Sequence, residues 1–439
     1  MCRKIIMTGF LAVAAVASYA QTFNKAKLDS LFTNLEQHDK YMGSICMMQD
    51  GQVIYNRAIG YADLTSSKKA NTNTKYRIGS VSKTFTAVLT LKAVEEKKLA
   101  LQQTLDQFFP QIPHAQRITI EQLLNHHSGV YDFTKDDAYL SYLTENKPEK
   151  EMIAIIANSK PAFEPGTKSD YSNSNYVLLS YILEKVYRQP YGTILQTKIV
   201  KPLRLVDTYF GSKTDLSKNE SYSYKFRSSW TKEEETHVSI PMGAGGIVST
   251  PKDLNTFIVA LMNGQLLTPA SLNLMKAMKD DFGLGMVEVK IKGHEAFGHN
   301  GRIDGFHSNL WYFPGGKLSI ALISNGYVYP SEAVLHAALS CFYNEPFMVP
   351  TFAKVAVTEG DLDAYVGKYA SKQIPITIDI TKKEGRLVAQ ASGQPALLLD
   401  ATAQNVFTFE RAGIIMEFTA EKKEMLLKQG GREFLFTKE

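Results

Sequence analysis

Two strand–turn–strand patterns stand at opposite ends of a helix-rich stretch, and that separation constrains the fold more than any other feature. The first runs through residues 45–49, turns on Asp50-Gly51 and returns along 53–61. Asp-Gly between two strand-like runs suits a tight hairpin turn. The second occupies residues 309–313, turns on Pro314-Gly315-Gly316 and continues through 318–324. Between the two hairpins the period is helical. Val81, Phe85, Val88 and Leu91 recur at helical spacing, and residues 176–186 and 254–262 read as further helices. Thr119-Ile120-Glu121-Gln122 has the form of a capping box, and Thr250 with Pro251 forms a helix entry. Leu28, Leu31, Phe32 and Leu35 predict an opening helix, and residues 331–342 a closing one that packs back on the sheet. The expected architecture is α/β (α+β), with one sheet that joins strands from both ends and an all-helical part between them.

After residue 345 the pattern changes. Pro346 and Pro350 stand in a stretch of little periodicity, read as a linker over 346–360. From 361 to 439 the period is two: Ile376, Ile378 and Ile380 alternate with Thr377 and Asp379, and Phe407 with Phe409 around Thr408. Phe434 and Phe436 repeat the pattern, which predicts a small antiparallel barrel or sandwich. The main domain is therefore placed at residues 21–345. The 439-residue chain is long enough for such a division and for a large core.

Residues 1–20 have the form of a secretory signal peptide. Arg3 and Lys4 open it, residues 5–16 are mostly apolar, and Ser18-Tyr19-Ala20 offers small residues for cleavage before Gln21. The other reading of this segment is an N-terminal anchor. Cleavage implies an exported protein, periplasmic or extracellular, with no transmembrane segment in the mature chain. The formal charge of +5 carries no basic run, which argues against nucleic-acid binding. Beyond the leader only Cys46 and Cys341 occur. An export compartment permits a disulfide, but two buried, unpaired thiols are the plainer expectation. Neither cysteine has metal-ligand spacing, and adjacent His126 and His127 make a poor chelate. No metal and no cofactor are expected.

The chemistry begins with a weak signal. Ser-x-x-Lys occurs at Ser66, Ser80, Ser229 and Ser249, so context must choose. Ser66 sits in a polar loop, Ser229 in a charged run, and Ser249 just before a helix start. Only Ser80 begins an apolar helix directly after a glycine. A serine there feels the positive end of the helix dipole, which favours negative charge nearby. Lys83, one turn on, lies on the same face and reaches the hydroxyl. A buried lysine loses proton affinity and can act as a base near neutral pH. The plainer alternative is a capping serine with a solvated lysine, and the local sequence does not separate the two.

Two further segments bear on that choice. Phe163-Glu164-Pro165-Gly166 leads to Asp170-Tyr171-Ser172-Asn173-Ser174-Asn175-Tyr176, and His299-Asn300-Gly301 precedes the second hairpin. In this order, with Ile78-Gly79-Ser80-Val81-Ser82-Lys83-Thr84-Phe85-Thr86, they resemble the three-motif signature of the serine β-lactamase and penicillin-binding-protein superfamily. The class C β-lactamase, D,D-carboxypeptidase and esterase branch is the most similar. Residues 119–129 and Gly243-Ala244-Gly245-Gly246 also look like that family, and the likeness covers roughly residues 25–345. The module after it resembles lipocalin-like barrels appended to such hydrolases.

The resemblance implies roles. Ser80 attacks a carbonyl and forms an acyl-enzyme. Lys83 and Tyr171 share the proton work, with the base unassigned. Asn173 holds a substrate amide and orients Lys83. The backbone N–H groups of Ser80 and Arg302 form an oxyanion hole. His299 flanks Tyr171 and the leaving group, and Asn300 and Gly301 complete the third motif. One departure stands out, since most β-lactamases have Lys-Thr-Gly where this chain has His299-Asn300-Gly301. The cation and hydroxyl contacts to a substrate carboxylate are lost with it; Arg302 or Arg77 is the candidate replacement, with a surface arginine the plainer reading for either. The expected activity is hydrolysis of an amide or ester (a D-amino-acid peptide, an ester or a β-lactam), with peptidase or esterase ranked above β-lactamase. The competing reading is a non-catalytic protein of the same fold that binds a peptide or lipid, with the barrel as its ligand module.

Overall fold

The computed structural model describes residues 23–352, 355–409, 412–429 and 432–439. The expected signal peptide, residues 1–20, lies outside them. The first hairpin closes as its sequence predicts: Asp50 and Gly51 both take positive φ, 49° and 76°, between strands Tyr41–Gln49 and Gln52–Ile59. That pair of left-handed residues matches the twist of the strands it joins. Strand Tyr41–Gln49 then pairs antiparallel with Leu318–Tyr327, which continues outward to Phe306–Phe313, His294–Ile303 and Val287–Ile291. One six-stranded antiparallel sheet therefore joins the two ends of the main body.

Alternation along these strands gives the sheet two apolar faces. Leu318, Ile320 and Leu322 pack with helices Lys25–Gln37 and Ser331–Phe342 through Leu28, Leu31, Leu335 and Leu339. Leu310, Ala321 and Ile323 face the larger core, built on helices Ser82–Glu95, Asn173–Tyr187 and Pro251–Met262. The helix starts follow their side chains. Thr119 and Gln122 exchange the two bonds of a capping box, and Thr250 caps through the Asp253 N–H ahead of Pro251. Cys46 and Cys341 are both buried and unpaired. Among the described residues no helix is long and apolar enough to cross a membrane.

The C-terminal part is a nine-stranded antiparallel sheet, curled nearly closed. Its end strands, Leu397–Leu398 and Asp400–Ala403, are consecutive in the chain. Arg386 on a third strand binds Asp400 at 2.7 Å and the Leu399 carbonyl at 3.1 Å, which ties the seam. Ile378, Ile380, Phe407, Phe418 and Phe436 fill the interior with other apolar side chains. The stretch read as a linker is attached at both ends. Phe352 is buried against the sheet-and-helix core, Lys27 lies 4.4 Å over the Phe347 ring, and the Val355 N–H donates to the Ala401 carbonyl.

Candidate active site

Ser80 lies where the first turn of a helix meets the edge of the sheet. Residues Gly79–Val81 form a 3₁₀ turn that runs directly into helix Ser82–Glu95. Gly79 has φ +50°, and a Cβ there would lie 2.7–2.9 Å from backbone atoms of Arg302. Gly301 is under the same constraint: its Cβ would lie 2.3 Å from the Ile78 carbonyl oxygen and 2.9 Å from Ser80 N. Only glycine at both positions lets the helix start and strand His294–Ile303 approach this closely. Strand Val287–Ile291 pairs with that strand only as far as Gly298, so among the described residues the edge beside Ser80 has no strand partner there.

Lys83, one turn along, is fully buried. Its Nζ lies 3.0 Å from Ser80 Oγ, 2.8 Å from Asn173 Oδ1 and 2.8 Å from the Ala244 carbonyl oxygen. Burial pushes its proton affinity down to a pKa of about 7, against the opposing pull of Asp132. The last two partners can only accept, so a neutral amine spends both N–H bonds on them. Its lone pair then faces Ser80. Tyr171 comes from the segment ahead of helix Asn173–Tyr187, and its hydroxyl donates to Ser80 Oγ at 2.7 Å. Burial holds the phenol well above its ordinary range, so it stays protonated.

The third segment brings one side chain to this cluster. His299 is buried, with its ring centroid 6.2 Å from that of Tyr171. Burial first, and nearby Lys83 second, hold its pKa down to about 4, so the imidazole is neutral at pH 7. Asn300 is exposed. The guanidinium of Arg302 is two-thirds exposed and lies 3.5 Å from Glu332 on helix Ser331–Phe342, leaving only its backbone beside Ser80. Arg77 is buried and spends its guanidinium on Glu235, Asp304 and the Thr236 and Ser212 carbonyls.

The other Ser-x-x-Lys copies form no such cluster. Ser66 bonds Asp63 in a turn, with Lys69 on Glu36. Ser229 sits between two short strands, and Ser249 is buried on Thr208. Two groups to which the sequence reading gave no role in the site do join it. His126, buried at φ +60°, accepts the Ser172 N–H on Nδ1 and packs its ring 4.6 Å from that of Tyr171. Asp132, also buried, accepts from Asn173 Nδ2 at 3.0 Å. The available signal was an Asp-x-Thr cap just past the capping-box helix, which marks an ordered turn but no partner.

Residues 28–340 match the Beta-lactamase family. Penicillin-binding protein 4* of Bacillus subtilis (strain 168) is 25% identical over 450 aligned positions, spanning 93% of this chain and 98% of that protein. A D-stereospecific amidohydrolase from Streptomyces sp. superposes with a TM-score of 0.62 at 28% identity, covering 72% of this chain and 98% of that one. The octameric penicillin-binding protein homologue from Pyrococcus abyssi shares the fold over 94% of this chain and 99% of its own, with a TM-score of 0.67 at 21% identity. The family match spans both strand sets of the sheet and every residue of the Ser80 cluster, and the chain belongs to the Beta-lactamase family.

Proposed function

We propose that the protein is a serine hydrolase that cleaves amides or esters through an acyl-enzyme on Ser80. One observation carries the reading: Ser80 Oγ sits between a buried amine at 3.0 Å and a protonated phenol at 2.7 Å. In this mechanism Ser80 Oγ attacks the carbonyl carbon while its proton passes to the lone pair of Lys83. The oxyanion forms against the N–H groups of Ser80 and Arg302 at the helix start and the open strand edge. Tyr171 gives its proton to the departing nitrogen or oxygen, and the proton held by Lys83 restores the phenol. Water then repeats the attack on the ester. Asn173 holds Lys83 in place, and neutral His299 lines the leaving-group side.

The substrate is read as an amide or ester of a D-amino acid, or a simple ester, ahead of a β-lactam. The missing Lys-Thr pair supports this, as do the engaged guanidinium groups of Arg77 and Arg302. The D-stereospecific amidohydrolase from Streptomyces supports it by analogy. Cleavage of residues 1–20 would place the reaction outside the cytoplasm. The side-chain-filled barrel interior favours catalysis over the ligand-capture alternative. A fluorophosphonate probe followed by peptide mass mapping tests the proposal. The expected adduct is on Ser80, with turnover of p-nitrophenyl esters and D-amino-acid amides. A protein that takes no label, or is labelled at Ser66 or Ser249, overturns it.

A further inference from the structure

We infer that Asp132 is a positioning residue for the Ser80 reaction: its buried carboxylate fixes which way the Asn173 amide faces and supplies the negative charge that steadies Lys83 while it holds a proton. The inference rests on the serine-hydrolase reading above. Asp132 follows the short helix that carries the capping box and is only 4% exposed. Every polar group that faces it is a donor. Its Oδ1 accepts from the Thr134 N–H at 3.1 Å and the Thr134 hydroxyl at 2.9 Å, and its Oδ2 accepts from Asn173 Nδ2 at 3.0 Å. The second Nδ2 hydrogen of Asn173 goes to Thr134 Oγ1 at 3.2 Å.

An asparagine side chain can present either end, and here one end is decided. With the NH₂ held by Asp132 and Thr134, Oδ1 must face Lys83, as its 2.8 Å contact requires. The flipped amide would set two donors against each other. An asparagine in place of Asp132 would turn its own NH₂ toward a donor whichever way it lay, and the flip would then become competitive. Charge acts through the same path. The groups around Lys83 are Ser80, Tyr171, Tyr176, Asn173, Ala244, His126 and His299. Both histidines are held uncharged by burial, and Asp132 is the carboxylate that acts on the lysine. It favours the ammonium, so its removal must let Lys83 lose its proton at lower pH.

The test uses the full chain with a p-nitrophenyl ester. Ser80→Ala is measured first. If it keeps turnover, the hydrolase reading fails and the Asp132 question falls with it. With that control inactive, Asp132→Asn is expected to move the acid limb of kcat/KM downward by about 1 pH unit. It should also lower plateau kcat roughly 10- to 100-fold, with KM little changed. Asp132→Ser removes the same charge from a smaller side chain and serves if the first variant does not fold. Thr134→Ala keeps the charge and should keep the wild-type limb. A folded, charge-free variant with an unmoved limb overturns the inference, and so does a Thr134→Ala protein whose limb shifts.

Discussion

The body around Ser80 and the barrel behind it are packed under opposite rules. Around Ser80 the interior holds Lys83, His126, Asp132 and His299, each buried and each with a partner. Among the described barrel residues no polar or charged residue is buried as a whole, and the centre is aliphatic and aromatic. Burying polar groups costs stability unless every donor and acceptor is met, and a buried ion pair seldom beats apolar packing of the same shape. A chain that keeps such groups in one half and excludes them from the other has its chemistry where the cost is borne. The barrel shows what the same chain builds where packing alone decides.

The largest expected effect breaks one half without touching the other. Ser80→Ala should cut turnover by about 10³-fold or more and leave the melting of both parts unchanged. A variant that loses activity together with its fold would mean that Ser80 is structural.

The reverse experiment targets the barrel. Phe407→Ala removes a buried ring from its centre and should cost about 3–5 kcal/mol of barrel stability. Labelling at Ser80 should persist, as a separable module requires. We propose that the boundary lies within the stretch read as a linker, after Phe352 rather than at 345. A chain ending at residue 343 loses Phe347, Val349 and Phe352 from the N-terminal core, whereas one ending at 352 keeps them. The longer chain should therefore melt higher in calorimetry, and equal melting would put the boundary at 345.

The cost of burying Lys83 can be read from pH. Its pKa falls from 10.5 unfolded to about 7 folded. Above pH 10.5 the amine is neutral in both states and burial carries no proton penalty. As pH falls toward 7 only the unfolded chain takes up the proton, so the native state loses stability across that window. Lys83→Met should thus gain on the wild type as pH is lowered from about 10.5 to 7, measured by urea unfolding across that range. A gap that does not change with pH would refute the burial argument. The same value sets the activity profile, in which kcat/KM rises through about pH 7 as Lys83 becomes the free base. His299, near 4, should add nothing above pH 5.

The smallest effect concerns selectivity. His299→Lys/Asn300→Thr should improve cephalosporin acylation relative to ester hydrolysis by about ten- to hundred-fold, the size of a charge-assisted contact of roughly 1.5–3 kcal/mol. Wild-type protein that already turns over nitrocefin faster than a p-nitrophenyl ester would sink the idea, since a cation other than the two engaged arginines would then hold the carboxylate.

What the sequence by itself determined is what neighbours along the chain decide. The Asp50-Gly51 turn, the Thr119 capping box, the Thr250-Pro251 helix entry and the alternation of Ile378 and Ile380 each follow from contacts within a few residues. The two hairpin turns located the sheet that joins both ends, and the helical spacing of Val81, Phe85, Val88 and Leu91 located the apolar helix behind Ser80. The tertiary structure decided what surrounds Lys83 beyond the Ser80, Tyr171 and Asn173 that the resemblance implied. Its partners Asn173 and Ala244 are 90 and 161 positions away, and Asp132 enters only through Asn173. It also decided that the Arg302 guanidinium turns to Glu332 and that Phe352 packs beside His38, at the end of the opening helix, and Tyr329. The reason is physical: capping and periodicity act over a turn or two. The proton affinity of a buried amine and the orientation of an amide depend on whichever groups the fold brings within about 3 Å.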